Sequence, residues 1–309
     1  MKRVVIAGGS GFLGKLLSQY FSDQDYEVVI LSRKHQIDQG NIHYQKWDAR
    51  SLGSWTHVLE GSEAVINLTG KSVDCRYTDA NMQQIYDSRL DATNVLGVAI
   101  AQCKEPPKVW LNASSATIYR YAEDREMDEY TGEIGEGFSV DVCQKWEQVF
   151  SRSETPKTRK VALRIAIVIG KSGGALQPLI NLVKMRVGGA QGNGRQFFSW
   201  IHEEDFVRAV KYLMNNSEAS GVYNLAAPNP VRNRRFMKTL RRVMKVSFGF
   251  SLPKLLLEIG AIFIRTETEL ILKSRRVVPA RLMKDGFEFR YHLLEQALES
   301  IINFNKEQI

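Results

Sequence analysis

A glycine-rich turn opens the chain and constrains what can follow it. Val4-Val5-Ile6-Ala7 reads as a short buried strand, Gly8-Gly9-Ser10-Gly11-Phe12-Leu13-Gly14 follows at once, and Lys15 to Phe21 reads as a helix. A strand, a glycine turn and a helix in that order make a site for the pyrophosphate of a dinucleotide. One glycine forms the tight turn, one lets the backbone approach the phosphates, and one lets the helix pack on the strand. The phosphates then rest on unpaired N–H groups at the helix N-terminus. Gly8, Gly11, Phe12, Leu13 and Gly14 are therefore the first candidate cofactor contacts.

The next strand bears on which dinucleotide is held. Glu27 to Leu31 is that strand, and Ser32-Arg33-Lys34 follows it. An NAD site usually carries Asp or Glu here for the ribose 2′-OH, whereas an NADP site presents a cation to the 2′-phosphate. No acid lies between Val28 and Lys34, and Arg33 and Lys34 are both cations. The expected cofactor is NADP(H) rather than NAD, with Ser32, Arg33 and Lys34 at its ribose. The plain alternative is that these are solvated charges after a strand.

At 309 residues, 44% hydrophobic and 25% charged, the chain has the composition of a globular protein with a large core. No apolar run reaches the length of a bilayer span. The glycines at 8, 9, 11 and 14 interrupt the apolar start too early for a secretory leader. Cys75, Cys103 and Cys143 are odd in number and lack metal-ligand spacing. A cytoplasmic protein without a disulfide framework or metal is expected. The formal charge of +8 is uneven: Arg232, Arg234, Arg235, Lys238, Arg241, Arg242 and Lys245 form a basic run. Helical spacing puts several of them on one face. No nucleic-acid motif accompanies them, so a solvated helix face is expected, with neither nucleic acid nor membrane as partner.

Strand and helix signals alternate through the first half. They predict an α/β fold, a Rossmann doubly wound parallel sheet. Further strands are Ala64 to Leu68, Lys108 to Asn112 and a long one from Val161 to Ile169; helices span Asp79 to Ala101 and Phe138 to Ser151. Beyond Gly170 come glycine loops, a helix from Glu203 to Met214 and a strand from Gly221 to Leu225. From Pro228 the chain looks mainly helical. The expected division is a dinucleotide-binding domain of residues 1–170, with 200–226 returning to it. A smaller, mainly helical C-terminal substrate domain then comprises 171–199 and 227–309. Ligands bind outside the carboxyl ends of such strands. That adds Asp48, Asn67, Leu68, Thr69 and Gly70 to the cofactor candidates and Lys71 to the substrate candidates.

With these residues in place, the chain resembles an atypical extended short-chain dehydrogenase/reductase. Asn67-Leu68-Thr69-Gly70 is similar to that superfamily's Asn-Asn-Ala-Gly strand end, and Ala113 to Tyr119 to its Ser-Ser-x-x-x-Tyr-Gly segment. More narrowly it resembles the epimerase-like family, sugar-nucleotide epimerases with a C-terminal domain of unknown function. Gln191 to Gln196, Ser199 to His202, Tyr223 to Pro228, Arg276 to Pro279 and Asp285 to Phe289 carry that likeness. The resemblance implies Ser115 and Tyr119 as catalytic candidates, and Lys71, Arg89, Arg195, Gln196 and Trp200 as substrate contacts. By analogy it also implies a homodimer built on the helices of Asp79 to Ala101 and Phe138 to Ser151.

The resemblance breaks at one place. The superfamily's Tyr-x-x-x-Lys pair supplies a general acid/base and a cation that lowers its pKa. Anchored on Glu147, those positions fall on Ser139 and Cys143. Neither can replace its counterpart, since a serine hydroxyl is too weak an acid and a thiol carries no positive charge. Tyr119, Tyr121, Lys71 or Lys145 could substitute from elsewhere. His202 is expected to position rather than to act as a base. Two functions stay open: an NADP-dependent oxidoreductase or epimerase acting on a small polar or nucleotide-linked substrate, and a non-catalytic NADP(H)-binding sensor or scaffold.

Overall fold

The computed structural model describes residues 1–34, 36–171, 173–253 and 272–304. Its strands are β1 (Arg3–Ala7), β2 (Glu27–Ser32), β3 (Ile42–Lys46), β4 (Ala64–Asn67), β5 (Val109–Ser115), β6 (Arg159–Ile165), β7 (Ile167–Ile169), β8 (Phe197–Phe198), β9 (Trp200–His202), β10 (Gly221–Leu225) and β11 (Val231–Arg232). Its helices are α1 (Phe12–Ser22), α2 (Asp79–Gln102), α3 (Phe138–Arg152), α4 (Leu176–Lys184), α5 (Glu203–Asn215), α6 (Asn233–Val243), α7 (Ala280–Lys284) and α8 (Leu294–Phe304). No helix among the described residues is long and apolar enough to cross a membrane.

Seven strands form one parallel sheet in the order β10-β6-β5-β4-β1-β2-β3. This is the doubly wound Rossmann order, and the chain reverses direction between β1 and β4. In register, Val5 sits between Val29 and Val65, and Ile6 between Ile30 and Ile66. Successive residues of a strand face opposite sides. Val4, Ile6, Val28 and Ile30 accordingly pack with Leu17 and Phe21 of α1 and Phe206 and Val210 of α5. Val5, Val29 and Val65 pack on the other face with Val95 and Leu96 of α2 and Phe150 of α3. A further core joins α4, α6 and α8 through Leu176, Phe236, Leu240 and Leu298.

Three expectations are revised. The long strand of Val161 to Ile169 divides at Ala166. There β6 ends, Ile167 donates its N–H to Ser199, and β7 pairs in parallel with β9 away from the main sheet. The edge strand β3 was not anticipated, because its residues are only half-buried and its pattern is weakly apolar. Residues 277–289 do not stay with the smaller unit. Leu282, Phe287 and Phe289 pack into the same core as β1 and α1, and α7 lies against β10. Helix expected across 254–271 lies outside the described residues.

Candidate functional site

The glycine turn builds a cradle. Gly8 has φ +79°, and a Cβ there would stand 2.9 Å from the backbone of Leu68 and Thr69. Only glycine lets the turn touch the end of β4. A Cβ on Gly14 would lie 2.3 Å from Gly9 Cα, so α1 packs directly on the turn. Gly11 differs: the nearest atom to a Cβ there is Gly8 O at 3.9 Å, and the position faces a cleft. Gly11 is also the N-cap of α1, whose first turn holds no acid. The N–H groups of that turn are the free donors an anion needs. The side chains of Phe12 and Leu13 are not in the cleft. Phe12 lies against Gly173 and Gly174, and Leu13 packs on the core, leaving only their backbone for a ligand.

The cleft measures about 910 Å³. Gly8, Gly11, Arg33, Asp48 and the run from Leu68 to Lys71 line it together. Arg33 is exposed and forms no ion pair among the described residues. Ser32 is buried, and its Oγ accepts from the Lys34 N–H at 3.2 Å, shaping the turn that presents Arg33. Lys34 is exposed beside it. Asp48 accepts from the N–H groups of Ser51 and Arg50, which hold its carboxyl below the usual range. Asn67 is fully buried, donates to Asn112 Oδ1 at 2.7 Å and Thr93 Oγ1 at 3.1 Å, and accepts from the Thr69 N–H. It pins the strand end and does not line the cleft. Thr69 Oγ1 is buried with no hydrogen-bond partner among the described residues. A lone polar atom of this kind at a cleft calls for a ligand or water.

Ser115 caps a short 3-10 turn, and its Oγ accepts from the Thr117 N–H at 3.2 Å. Behind it runs a part-buried polar chain. Ser114 donates to Glu147 Oε1 at 2.6 Å, and Glu147 receives two bonds of 2.8 Å from Arg164. Arg164 also donates to Tyr119 Oη at 3.0 Å, and Tyr119 donates to Asn224 Oδ1 at 3.0 Å. Tyr119 has no exposed surface, and burial raises its pKa despite Arg164. It is a brace between β6 and β10, and the expectation of a catalytic role for it is corrected on that ground.

The vacated pair on α3 is buried: Ser139 is 9% exposed and Cys143 5%. Burial pushes the Cys143 thiol up to about 11, with Arg89 opposing the rise. Yet other elements fill both places. Tyr77, in the loop before α2, brings its Oη to 3.4 Å from Ser139 Oγ, and its ring meets Phe138 edge-on. Arg89 on α2 lies over the Trp146 ring at 5.2 Å and donates to the carbonyls of Lys71 and Ile85. A Cβ on Gly70 would stand 2.9 Å from its Cζ. Arg89 therefore supports the cleft wall from beneath. Lys145 pairs with Asp141 at 2.8 Å, and Lys71 donates to Gln84 at 2.6 Å. Tyr77 carries no local sequence signal, because only the packing of its loop on α3 selects it.

Two of the other expected substrate contacts are corrected. Trp200 is fully buried in the core of α4, α6 and α8 and donates to the Asn229 carbonyl at 3.2 Å. Gln196 is 3% exposed and donates to the Gln191 carbonyl at 2.9 Å, bracing its own loop. Arg195 is exposed and pairs with Glu123 at 3.2 Å. His202 caps α5, accepting from the Glu204 N–H through Nδ1, and stacks on Tyr291.

Sheet order, glycine turn and cleft together define a dinucleotide-type Rossmann protein. Residues 4–226 match the NAD dependent epimerase/dehydratase family. The chain belongs to that family. Residues 252–301 match a domain of unknown function, DUF1731. Epimerase family protein YfhF of Bacillus subtilis is 33% identical over 302 residues, 97% of each chain. Epimerase family protein SAR0825 of Staphylococcus aureus is 32% identical over 305 residues, 98% of this chain and 100% of that one. Human epimerase family protein SDR39U1, solved with NADPH, superposes with a TM-score of 0.86 at 29% identity, covering 97% of this chain and 99% of that one. MoeE5, solved with UDP-glucuronic acid and NAD, gives a TM-score of 0.77 at 19% identity over 99% of this chain and 100% of its own, a likeness of fold alone.

Proposed function

We propose that this protein binds NADP(H) along the cleft and acts as an oxidoreductase or epimerase on a small polar or nucleotide-linked substrate. One observation carries the cofactor assignment. Arg33 lines the cleft without an ion pair among the described residues, and the end of β2 offers no acid. The cleft's own acids are engaged: Asp91 pairs with Arg50 at 3.1 Å, Asp87 accepts from the Gln83 amide at 2.6 Å, and Asp48 is held by backbone N–H groups. The NADPH in the human relative supports the same choice. Gly11 and the first turn of α1 would hold the pyrophosphate, Arg33 the 2′-phosphate, and Thr69 a further polar contact. The nicotinamide supplies the hydride acceptor or donor when bound.

The chain supplies the proton chemistry. Ser115 accepts from Thr117 and donates to no described residue, so its hydroxyl is available to polarise a substrate oxygen. Tyr77 is our choice for the proton-transferring phenol, because it reaches Ser139 from another element. Arg89 is the neighbouring cation, and its charge and the phenol's interact. A nearby cation favours the phenolate. The non-catalytic sensor or scaffold is favoured by the burial of Ser139 and Cys143 alone.

Titrating NADPH and NADH into wild type and Arg33→Ala tests the cofactor. NADPH is expected to bind more tightly, and Arg33→Ala to cost it about 1.5–3 kcal/mol while NADH changes little. Equal affinities in wild type would overturn the assignment.

A further inference from the structure

The basic run of α6 lies outside the cofactor cleft and does not form a plain solvated face. Phe236, Met237, Leu240 and Val243 are buried in the core, and the cations occupy the opposite side of α6. That side forms one wall of a groove of about 820 Å³, and Gly189, Ala190, Gly249 and Ser251 contribute to the other. Leu252 and Ala190 hold the two segments together by a backbone bond of 2.9 Å. Arg234, Arg235, Lys238, Arg241 and Arg242 all line the groove, and among the described residues no Asp or Glu does. Arg241 is engaged with the Gly188 carbonyl and Arg242 with Glu295. Arg234, Arg235 and Lys238 have no ion pair or side-chain hydrogen bond among the described residues. Crowding like charges on one helix face destabilises it unless an anion joins them.

A second observation points to a ligand. Thr239 lines the same groove, is 8% exposed, and its hydroxyl bonds to no described residue. A hydroxyl open to a cationic groove, with no partner among the described residues, suits a phosphate oxygen. The volume is that of a small-molecule site, and the concavity does not match a flat membrane surface or an extended strand of nucleic acid. From this geometry we infer a second anion site, for a small ligand carrying at least two phosphate groups, held by Arg234, Arg235, Lys238 and Thr239. Among the described residues it shares no lining residue with the cofactor cleft.

The test uses the full chain and calorimetry near physiological salt. Inorganic pyrophosphate and ADP are titrated with and without saturating NADPH, beside a short single-stranded RNA and phosphatidylserine vesicles. Saturable binding of pyrophosphate or ADP is expected, unaffected by NADPH. Arg235→Gln with Lys238→Gln should weaken it about tenfold or more, since two charge-assisted contacts are lost. Pyrophosphate binding without ADP binding assigns a free polyphosphate, and binding of both assigns a nucleotide diphosphate. Thr239→Val should weaken it severalfold and guards against misfolding of the double variant. No saturable binding, unchanged affinity in both variants, or displacement of pyrophosphate by NADPH would overturn the second site. Tighter, variant-sensitive binding of RNA or vesicles would overturn the small-ligand assignment.

Discussion

Tyr77 Oη stands 3.4 Å from Ser139 Oγ, although the two residues are 62 positions apart in the chain. A phenol from the loop before α2 is thereby delivered to a helix that has none at the position where the resemblance asks for one. Tyr77→Phe should lower kcat by about a hundred- to ten-thousand-fold, the usual weight of a general acid/base. NADPH affinity and the melting temperature should stay close to wild type. The measurement is steady-state turnover on a substrate found by screening nucleotide-linked sugars and small carbonyls. Unchanged turnover would remove Tyr77 from the reaction.

Cys143 gives the complementary case. Its thiol is protonated at neutral pH because burial holds it near 11. Cys143→Ala should leave turnover within a few-fold, as no thiolate is available to act. Loss of turnover by a hundredfold with intact NADPH binding would show that α3 carries chemistry itself.

Gly11 faces the cleft with φ −80°, a conformation open to any residue. Gly11→Val should therefore fold, with a modest loss of stability from the poorer N-cap of about 1 kcal/mol. Its side chain would occupy the space above the first turn of α1. Binding of NADPH and NADH should fall below detection in calorimetry, and normal binding would place the phosphates elsewhere.

The Arg164–Glu147 pair is part-buried, with side chains 12% and 17% exposed. Removing one partner of such a pair strands the other charge in a site with little water, at about 1–3 kcal/mol. Glu147→Ala should lower the denaturant midpoint accordingly, and Glu147→Gln less. A change under about 1 kcal/mol for Glu147→Ala would mean that water reaches the pair.

Burial holds the His202 pKa at about 4 in the folded protein, against an ordinary value of 6.5. Between those values the unfolded chain binds the extra proton, so stability rises with pH. The contribution is fully present above pH 6.5 and is lost as pH falls toward 4. Its span is about 3 kcal/mol. His202→Asn, which retains an N-cap, should flatten that part of the pH–stability curve in chemical denaturation. An unchanged slope would place the titration on another group.

The sequence by itself determined the features that short segments encode. Gly8, Gly11 and Gly14 specify a backbone path, and their spacing sufficed to locate β1, α1 and the cradle between them. The alternation of apolar strands and helices sufficed for the doubly wound sheet. The absence of an acid after β2 pointed to Arg33, which does line the cleft. Tertiary structure decided what depends on burial and on partners far away in the chain. Tyr119 and Trp200 look like site residues in their motifs, yet packing leaves them no surface. Tyr77 looked like an ordinary polar position and Arg89 like a substrate contact, and packing brought both to α3. The strand from Val161 to Ile169 reads as one apolar run, but Ile167 finds Ser199 as its hydrogen-bond acceptor and changes sheets. The basic run on α6 has the same periodicity whether it faces open water or a groove, and only the neighbouring Gly189, Ala190, Gly249 and Ser251 made it concave. The physical reason is common to all of these. Backbone geometry is set by residues a few positions apart, whereas burial, charge pairing and pocket shape are set by contacts between elements that local pattern does not specify.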